Sequence, residues 1–283
     1  MISLCDQSSS VFRVQISNCL TDMENEAELR PLMTRRLLER LNLQGALLAG
    51  TDYTEAILDR IVFDGADLAG AVFSDSMITD TSLRTVQAHG VRFQGATLTR
   101  TSFAAAALTG AAFHQCRITE CHFSDTDLTD ANFHGAHVQF CRFERSAMPR
   151  VRFSGSRLQN CEFGRSNLEE ARFGSMKLRY AHFTNTNLIN ADFRNAGIQL
   201  CDFYGAVLRG AHFMGADLSS VDFRKADLEG ARDLTQTQLG RALTDETTIL
   251  PNGSRGPYMR RSGAERPVYH WTPLEEEPDG VSG

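Results

Sequence analysis

From Leu43 to Leu228 a large apolar residue falls on every position whose number ends in 3 or 8, and the register never slips. Ala88 is the one small residue in this series. Two places before each of these centres sits a small or short-branched residue, as at Ala66, Ala71, Thr126, Ala131, Ala191 and Ala226; Leu41, Ile61 and Met176 are the bulky departures. A period of five fits neither the 3.6 of a helix nor the 2 of a strand. Fixed-period self-similarity is the mark of a repeat architecture. Two inward residues in every five, then a corner, describe a chain that turns regularly about an axis.

A second period lies on the first. Phe stands at Phe63, Phe73, Phe93, Phe103, Phe113, Phe123 and every tenth residue from there to Phe223, with aliphatics such as Leu68, Ile78, Leu98, Val138 and Met148 between. If four units close one square coil of twenty residues, Phe stacks on Phe along two opposite faces and aliphatics stack along the other two. Three or five units per coil would mix these columns on every face. Large and small inward residues then fill the interior to ordinary density. The last place of many units is Gly, as at Gly65, Gly70, Gly110, Gly155, Gly210 and Gly230, or Asp or Asn, as at Asp75, Asp130, Asn160 and Asn190. These residues tolerate the left-handed backbone of a tight corner.

Segments such as Ala66-Asp67-Leu68-Ala69-Gly70, Ala191-Asp192-Phe193-Arg194-Asn195 and Ala226-Asp227-Leu228-Glu229-Gly230 resemble the pentapeptide-repeat family, whose motif is Ala-(Asp/Asn)-(Leu/Phe)-x-x. The resemblance implies an all-β solenoid, a right-handed quadrilateral parallel β-helix, here with helical terminal caps. It implies no single biochemical role, because the family serves several. Coils stacked by parallel pairing repeat at ~4.8 Å, which makes the rod ~45 Å long. Its two ends present unpaired backbone and call for caps.

Four segments follow from these boundaries. Residues 1–41 read as an N-terminal cap: Val11 to Ile16 alternates like a strand, and residues 22–41 read as helix, split at Pro31, with Leu29, Leu32, Met33, Leu37, Leu38 and Leu41 as its apolar face. Residues 42–232 are the β-helix. Residues 233–250 read as a C-terminal cap with a short helix from Leu234 to Leu243, N-capped by Thr235. Residues 251–283, rich in Pro and Gly and carrying Glu275-Glu276-Glu277, read as a flexible tail in which Tyr269, Trp271 and Leu274 remain able to dock.

Little in the chain points to catalysis. No nucleophile elbow, P-loop or dinucleotide fingerprint occurs. Cys121, Cys141, Cys161 and Cys201 fall in one column at the small inward position, with Ala181 in the gap, and read as a buried thiol ladder. No Cys-x-x-Cys pair suggests zinc. His114 and His134 stack on an outer face as a solvated pair. No cofactor and no metal are expected. No apolar run approaches the ~20 residues of a membrane span. The start, Met1-Ile2-Ser3-Leu4-Cys5-Asp6, lacks the basic residues and long apolar core of a signal peptide, so a cytoplasmic location is the expectation.

Charge then directs attention to the outer faces. Residues 41–140 are acidic overall and residues 141–180 are basic. In the square coil Arg117, His137, Arg157 and Lys177 form one basic column; Arg152 and Arg172 line the neighbouring face, and Arg142, Arg145 and Arg165 lie across the rod. Phe140, Tyr180 and Leu200 share an outward corner column interrupted by Asn160, with Ile189, Tyr204 and Met214 as scattered exposed groups. Such a row suggests a contact, covered by the chain's own Trp271, by a second copy, or by a protein partner. The favoured reading is a non-catalytic scaffold that binds a protein through a face, an end or the tail.

The resemblance implies an alternative, because some relatives protect type II topoisomerases, DNA gyrase and topoisomerase IV, by imitating duplex DNA. An acidic face of Asp64, Asp67, Asp75 and Asp80 would then carry the mimicry. Duplex DNA of ~45 Å holds ~26 negative charges, whereas acids and bases nearly balance along this coil, which argues against the simplest form of that reading. Direct nucleic-acid binding by the basic column is a weaker third.

Overall fold

The structure is a computed structural model that describes residues 3–5, 12–15 and 33–268. Eleven strands form one sheet in chain order: β1 (Ser3–Cys5), β2 (Phe12–Gln15), β3 (Arg36–Glu39), β4 (Ile57–Asp59), β5 (Met77–Thr79), β6 (Thr97–Thr99), β7 (Arg117–Thr119), β8 (His137–Gln139), β9 (Arg157–Gln159), β10 (Lys177–Arg179) and β11 (Gly197–Gln199). From β3 onward each strand pairs in parallel with the residue twenty positions later, Leu58 with Ile78 and Ile78 with Leu98. The other three sides of the coil pair through single parallel bridges in the same register, such as Val62 to Ser82, Asp67 to Gln87 and Val72 to Arg92. The fold is therefore a parallel all-β solenoid of four sides and twenty residues per turn. We call the side formed by β3–β11 the strand face; the chain then passes over a second, third and fourth face before returning to it.

Each backbone N–H at a centre donates one coil onward, as Phe63 N does to Ser82 O at 2.8 Å, and the preceding N–H donates one coil back, as Val62 N does to Leu41 O at 2.9 Å. Buried backbone is thus satisfied without long strands. The columns fill the interior. On the fourth face Tyr53, Phe73, Phe93, Phe113 and their successors stack with ring centroids 4.6, 5.0 and 4.9 Å apart at the first three steps. The second face carries the other stack, from Phe103 through Phe123 and Phe143, and the two meet edge to face across the core, as Phe113 and Phe123 do at 5.8 Å and 88°. Both arrangements suit the aromatic quadrupole. Hydroxyls at small inward positions donate to the Phe carbonyl of the coil below, Thr126 Oγ1 to Phe103 O and Thr186 Oγ1 to Phe163 O, each at 2.8 Å.

Corners take left-handed backbone at residues ending in 0 and 5. Gly95 leaves room at its corner for a neighbour: φ is +71°, and a Cβ there would lie 2.1 Å from Asp75 Oδ1, so the Asp75 carboxylate would have to move.

The ends differ from the sequence expectation in two respects. Residues 36–39 are strand β3, not the end of a helix, and Met33 and Leu38 are buried as further members of the repeat series. Arg35 and Arg40 turn its corners with φ of 55° and 52°. Leu37 and Leu41 fit a helical stripe while Met33 and Leu38 fit the repeat, and the corners lack Gly or Asn, so periodicity alone favoured the wrong element there. Residues 22–32 lie outside the described residues. β2 pairs in parallel with β3, and β1 pairs antiparallel with β2, so the strand face is extended at its N-terminal end.

At the other end helix α1 (Gln236–Leu239) is capped by a Thr235–Gln238 capping box. Gln238 Nε2 donates to Phe213 O and Ala216 O, at 3.0 and 2.9 Å, and so closes carbonyls that no further coil reaches. Residues 251–268, read from composition as flexible, instead fold over this end. Leu250, Ala264 and Glu265 are buried, Asn252 N donates to Ala264 O, and Glu265 accepts from both Gln236 Nε2 and the Tyr258 hydroxyl.

Candidate functional site

The motif's second-place Asp and Asn serve the backbone. Their side-chain oxygens accept from the N–H two residues on, as in Asp52 to Thr54, Asp67 to Ala69, Asp127 to Thr129 and Asp227 to Glu229. These are Asx turns that hold the approach to each corner. Sequence reasoning saw the motif but not this role, since the acceptor relation appears only once the corner is built.

The supposed acidic face does not assemble. Residues twenty apart share a column, and Asp64, Asp67, Asp75 and Asp80 stand at four different phases of the coil: the second face, the third face and two separate corners. Three are also engaged locally. Asp64 accepts from the Ser82 hydroxyl and Arg84 N, Asp67 from Ala69 N, and Asp80 from Arg100 at 2.6 and 2.8 Å. The Arg100 guanidinium beside Asp80 holds its carboxyl below the usual range.

The basic column does assemble, on the strand face. Arg117 pairs with His137, His137 with Arg157 and Arg157 with Lys177 as direct neighbours on β7, β8, β9 and β10, and all four side chains are exposed. Gln139, Gln159 and Arg179 run parallel to it two residues on. Between the two rows lies a depression of about 250 Å³ lined by His137, Gln139, Arg157, Leu158, Gln159, Lys177 and Arg179. Elsewhere arginines are neutralised across coils: Arg100 by Asp80, Arg145 by Asp125, Arg150 by Asp130 and Arg209 by Asp227, at 2.6–2.7 Å. Among the described residues Arg117, Arg157, Lys177 and Arg179 have no carboxylate within 4.0 Å. Like charges directly opposite one another on neighbouring strands repel, so this column is set against its own stability.

The corner next to this face carries Phe140, Tyr180 and Leu200, exposed at 53%, 41% and 46%. Their φ angles are 55°, 53° and 56°, a region where bulky side chains are disfavoured. Arg179 reaches over the Tyr180 ring, 5.4 Å from its centroid, and ties the cationic row to the apolar one. Arg152 and Arg172 bridge to one another on the fourth face, which also adjoins the strand face. Arg142 does not lie across the rod: it pairs with His122 and Glu162 on the second face, just past the Phe140 corner, while Arg145 and Arg165 stand at that face's far corner. Tyr204 and Met214 are exposed, whereas Ile189 is half-buried.

Other candidates carry no chemistry. The cysteines of the ladder are free and buried, as is Cys116 in another column, and burial pushes the Cys116 and Cys201 thiols up to about 12 and about 11. Among the described residues no three His, Cys, Asp or Glu side chains are placed to hold a metal ion. His114 and His134 share a column, and the half-buried His114 Nδ1 has no hydrogen-bond partner among them. A shallow dent of about 420 Å³ over Gly174 is bordered by Arg194, already bound to Asp192. No helix among the described residues is long and apolar enough to cross a membrane.

These features define a filled, four-sided parallel β-solenoid whose distinctive surface is one cationic face with an apolar corner. The chain belongs to the pentapeptide-repeat family: the pentapeptide repeat region matches residues 96–173, and the eight-copy pentapeptide repeat matches residues 42–80, 166–196 and 198–232. Among solved structures it is similar to HetL, a pentapeptide repeat protein involved in heterocyst differentiation regulation from the cyanobacterium Nostoc sp. strain PCC 7120. The identity there is 28% over 77% of this chain and 92% of that one, with a TM-score of 0.39. Rfr23 from the cyanobacterium Cyanothece 51142 matches at 23% identity over 40% of this chain and 89% of its own, TM-score 0.36. QnrB1, a plasmid-mediated fluoroquinolone resistance protein, matches at 19% identity over 60% and 81%, TM-score 0.31. None of the curated proteins compared matches the chain significantly.

Proposed function

We propose that this protein is a non-catalytic scaffold that binds an acidic protein partner through the strand face. The observation that supports this reading most is that the cations Arg117, Arg157 and Lys177, with Arg179 in the neighbouring row, have no carboxylate partner among the described residues and lie beside the exposed corner of Phe140, Tyr180 and Leu200. Both rows oppose stability, one by repulsion and one by left-handed backbone, and such local conflict is typical of surfaces kept for binding. An apolar anchor beside steering charges is the usual composition of a binding surface. The gyrase reading has less support, because its four acids stand at separate phases of the coil and three of them, Asp64, Asp67 and Asp80, serve the rod's own backbone, hydroxyls and ion pairs.

The test uses affinity capture from the native cell with the wild type, Arg157→Glu/Lys177→Glu and Tyr180→Ala, run beside an inhibitor-challenged gyrase supercoiling assay. The scaffold reading expects one partner retained by the wild type and lost by both variants. Protection of gyrase that survives those changes but fails when Asp64, Asp67, Asp75 and Asp80 are neutralised would overturn it.

A further inference from the structure

The cationic column has a length and a step that restrict what can lie on it. Thr97, Arg117, His137, Arg157, Lys177 and Gly197 are direct neighbours on successive strands, so the cations and the imidazole occupy four coils between two coils that carry neither. Beyond Gly197 the same column holds Asp217, which accepts from Gln199 Nε2 and from the Ser219 hydroxyl and ends the track there. The track is therefore three steps of ~4.8 Å, ~14 Å in all. Beside it, on the exposed corner, Phe140 and Tyr180 stand two steps apart, ~9.6 Å, with Leu200 one step further. Along an α-helix the residues i, i+3, i+7 and i+10 share one side, and the last three rise ~4.5, ~10.5 and ~15 Å above the first. The coils rise ~4.8, ~9.6 and ~14.4 Å, so no mismatch exceeds ~1 Å. A strand laid along the rod spaces its same-side residues ~6.8 Å apart and is ~2 Å out of step at the first coil. Column and corner are three residues apart, at most ~10 Å, which is about the diameter of one helix. The depression of about 250 Å³ between the two rows adds the Gln139 and Gln159 amides as donors.

We propose that the acidic partner presents an amphipathic α-helix of about three turns, laid lengthwise on the strand face. Carboxylates at i, i+3, i+7 and i+10 lie over Arg117, His137, Arg157 and Lys177, and an apolar flank lies against Phe140, Tyr180 and Leu200. His137 takes part as a ring N–H donor. The proposal rests on the binding role argued above for this face and adds the shape of its occupant. The apolar corner is what favours a helix over a nucleic acid, which would use the cations alone.

The test titrates the full chain with labelled synthetic peptides of ~18 residues, short enough to be only partly helical when free. One carries Glu at i, i+3, i+7 and i+10 with Leu along a flank, made in two versions, one for each flank. A second has the same composition with Glu at every other residue, and a third is the first with Pro at its centre. One version of the striped peptide should bind about tenfold or more tightly than the other two designs and gain helicity by circular dichroism as it binds. Arg157→Glu/Lys177→Glu and Tyr180→Ala should each weaken it by about tenfold or more, without lowering the melting temperature. Equal affinity for all designs, binding without gained helicity, or binding that survives the charge reversal would overturn the proposal. So would a duplex oligonucleotide of equal charge that binds more tightly than the striped peptide. If no peptide binds while capture of a cellular partner still depends on Arg157 and Lys177, the helix is refuted and the scaffold reading stands. Capture indifferent to those residues refutes both.

Discussion

Arg179 lies over the ring of Tyr180, 5.4 Å from its centroid, although Tyr180 occupies a left-handed corner where Gly or Asn would fit without strain. The chain keeps an exposed aromatic where backbone geometry favours none. Replacing Tyr180 with Gly should therefore stabilise the rod by up to ~1 kcal/mol, by removing the left-handed penalty. Partner binding should weaken by ~1–3 kcal/mol, as loss of an anchor does. Thermal melts and binding titrations on the same variant check both signs, and a stability loss without a binding loss would mark the ring as structural.

The Phe stacks carry the core. Phe163 is fully buried and stacked at 4.9 and 4.7 Å on Phe143 and Phe183. Phe163→Ala should lower stability by ~3–5 kcal/mol, whereas Gln159→Ala, an exposed change on β9, should stay within ~0.5 kcal/mol. Chemical denaturation measures the contrast.

Tyr53 begins the fourth-face stack, where later coils use Phe. Its hydroxyl is buried without a hydrogen-bond partner among the described residues, and burial raises its pKa. An unsatisfied buried hydroxyl costs ~1–3 kcal/mol, so Tyr53→Phe should raise the melting temperature. An unchanged or lower value would show that the hydroxyl is served from outside the described residues.

The thiols give an alkaline dependence. Desolvation raises Cys116 from 9.0 to about 12 and Cys201 to about 11. A raised pKa contributes stability that is complete below the unfolded value and is lost as pH rises through the folded one. Melts should therefore weaken from about pH 9 toward pH 11–12, and less so in Cys201→Ala. Alkylating reagents should leave Cys116, Cys121, Cys141, Cys161 and Cys201 unmodified until the protein is denatured.

The C-terminal end should respond to acid. Asp245 accepts from the Thr247 hydroxyl at 2.7 Å and from Thr247 N and Lys225 N, and these bonds hold its carboxyl down from 3.8 to about 2. A depressed pKa gives stability that is present above the unfolded value and is lost as pH falls through the folded one. Hydrogen exchange at Phe223, Leu228 and Gly230, whose N–H groups are closed by Leu243, Ile249 and Pro251, should accelerate between pH 4 and pH 2. Asp245→Asn should abolish that dependence.

What the sequence revealed, it revealed through side chains that repeat in phase. Phe113 and Phe133 are twenty apart because they stack, and the square coil follows from that alone. At Arg35–Leu41 the signal was ambiguous, since Leu37 and Leu41 satisfy a helical stripe while Met33 and Leu38 satisfy the repeat. Residues 251–268 escaped because their order rests on single polar contacts, such as Glu265 with Gln236 and Tyr258, that composition does not encode. The cationic column was legible from spacing. Its lack of neutralising partners among the described residues was not, because that depends on which carboxylates the corners already use.

The twenty-residue register makes the molecule a counter. Loss of one whole turn would shorten the rod by a single layer, ~4.8 Å, and every column above the cut would meet its old neighbours again. Loss of five residues would instead rotate all later layers by a quarter-turn. Lys177 and Arg179 would then leave the side occupied by Arg117, and a continuous charged track would become two short ones on different sides. Tolerance of this chain to insertion and deletion is thus quantised, and its surface can be lengthened, shortened or scrambled without substituting any of the outward residues that remain.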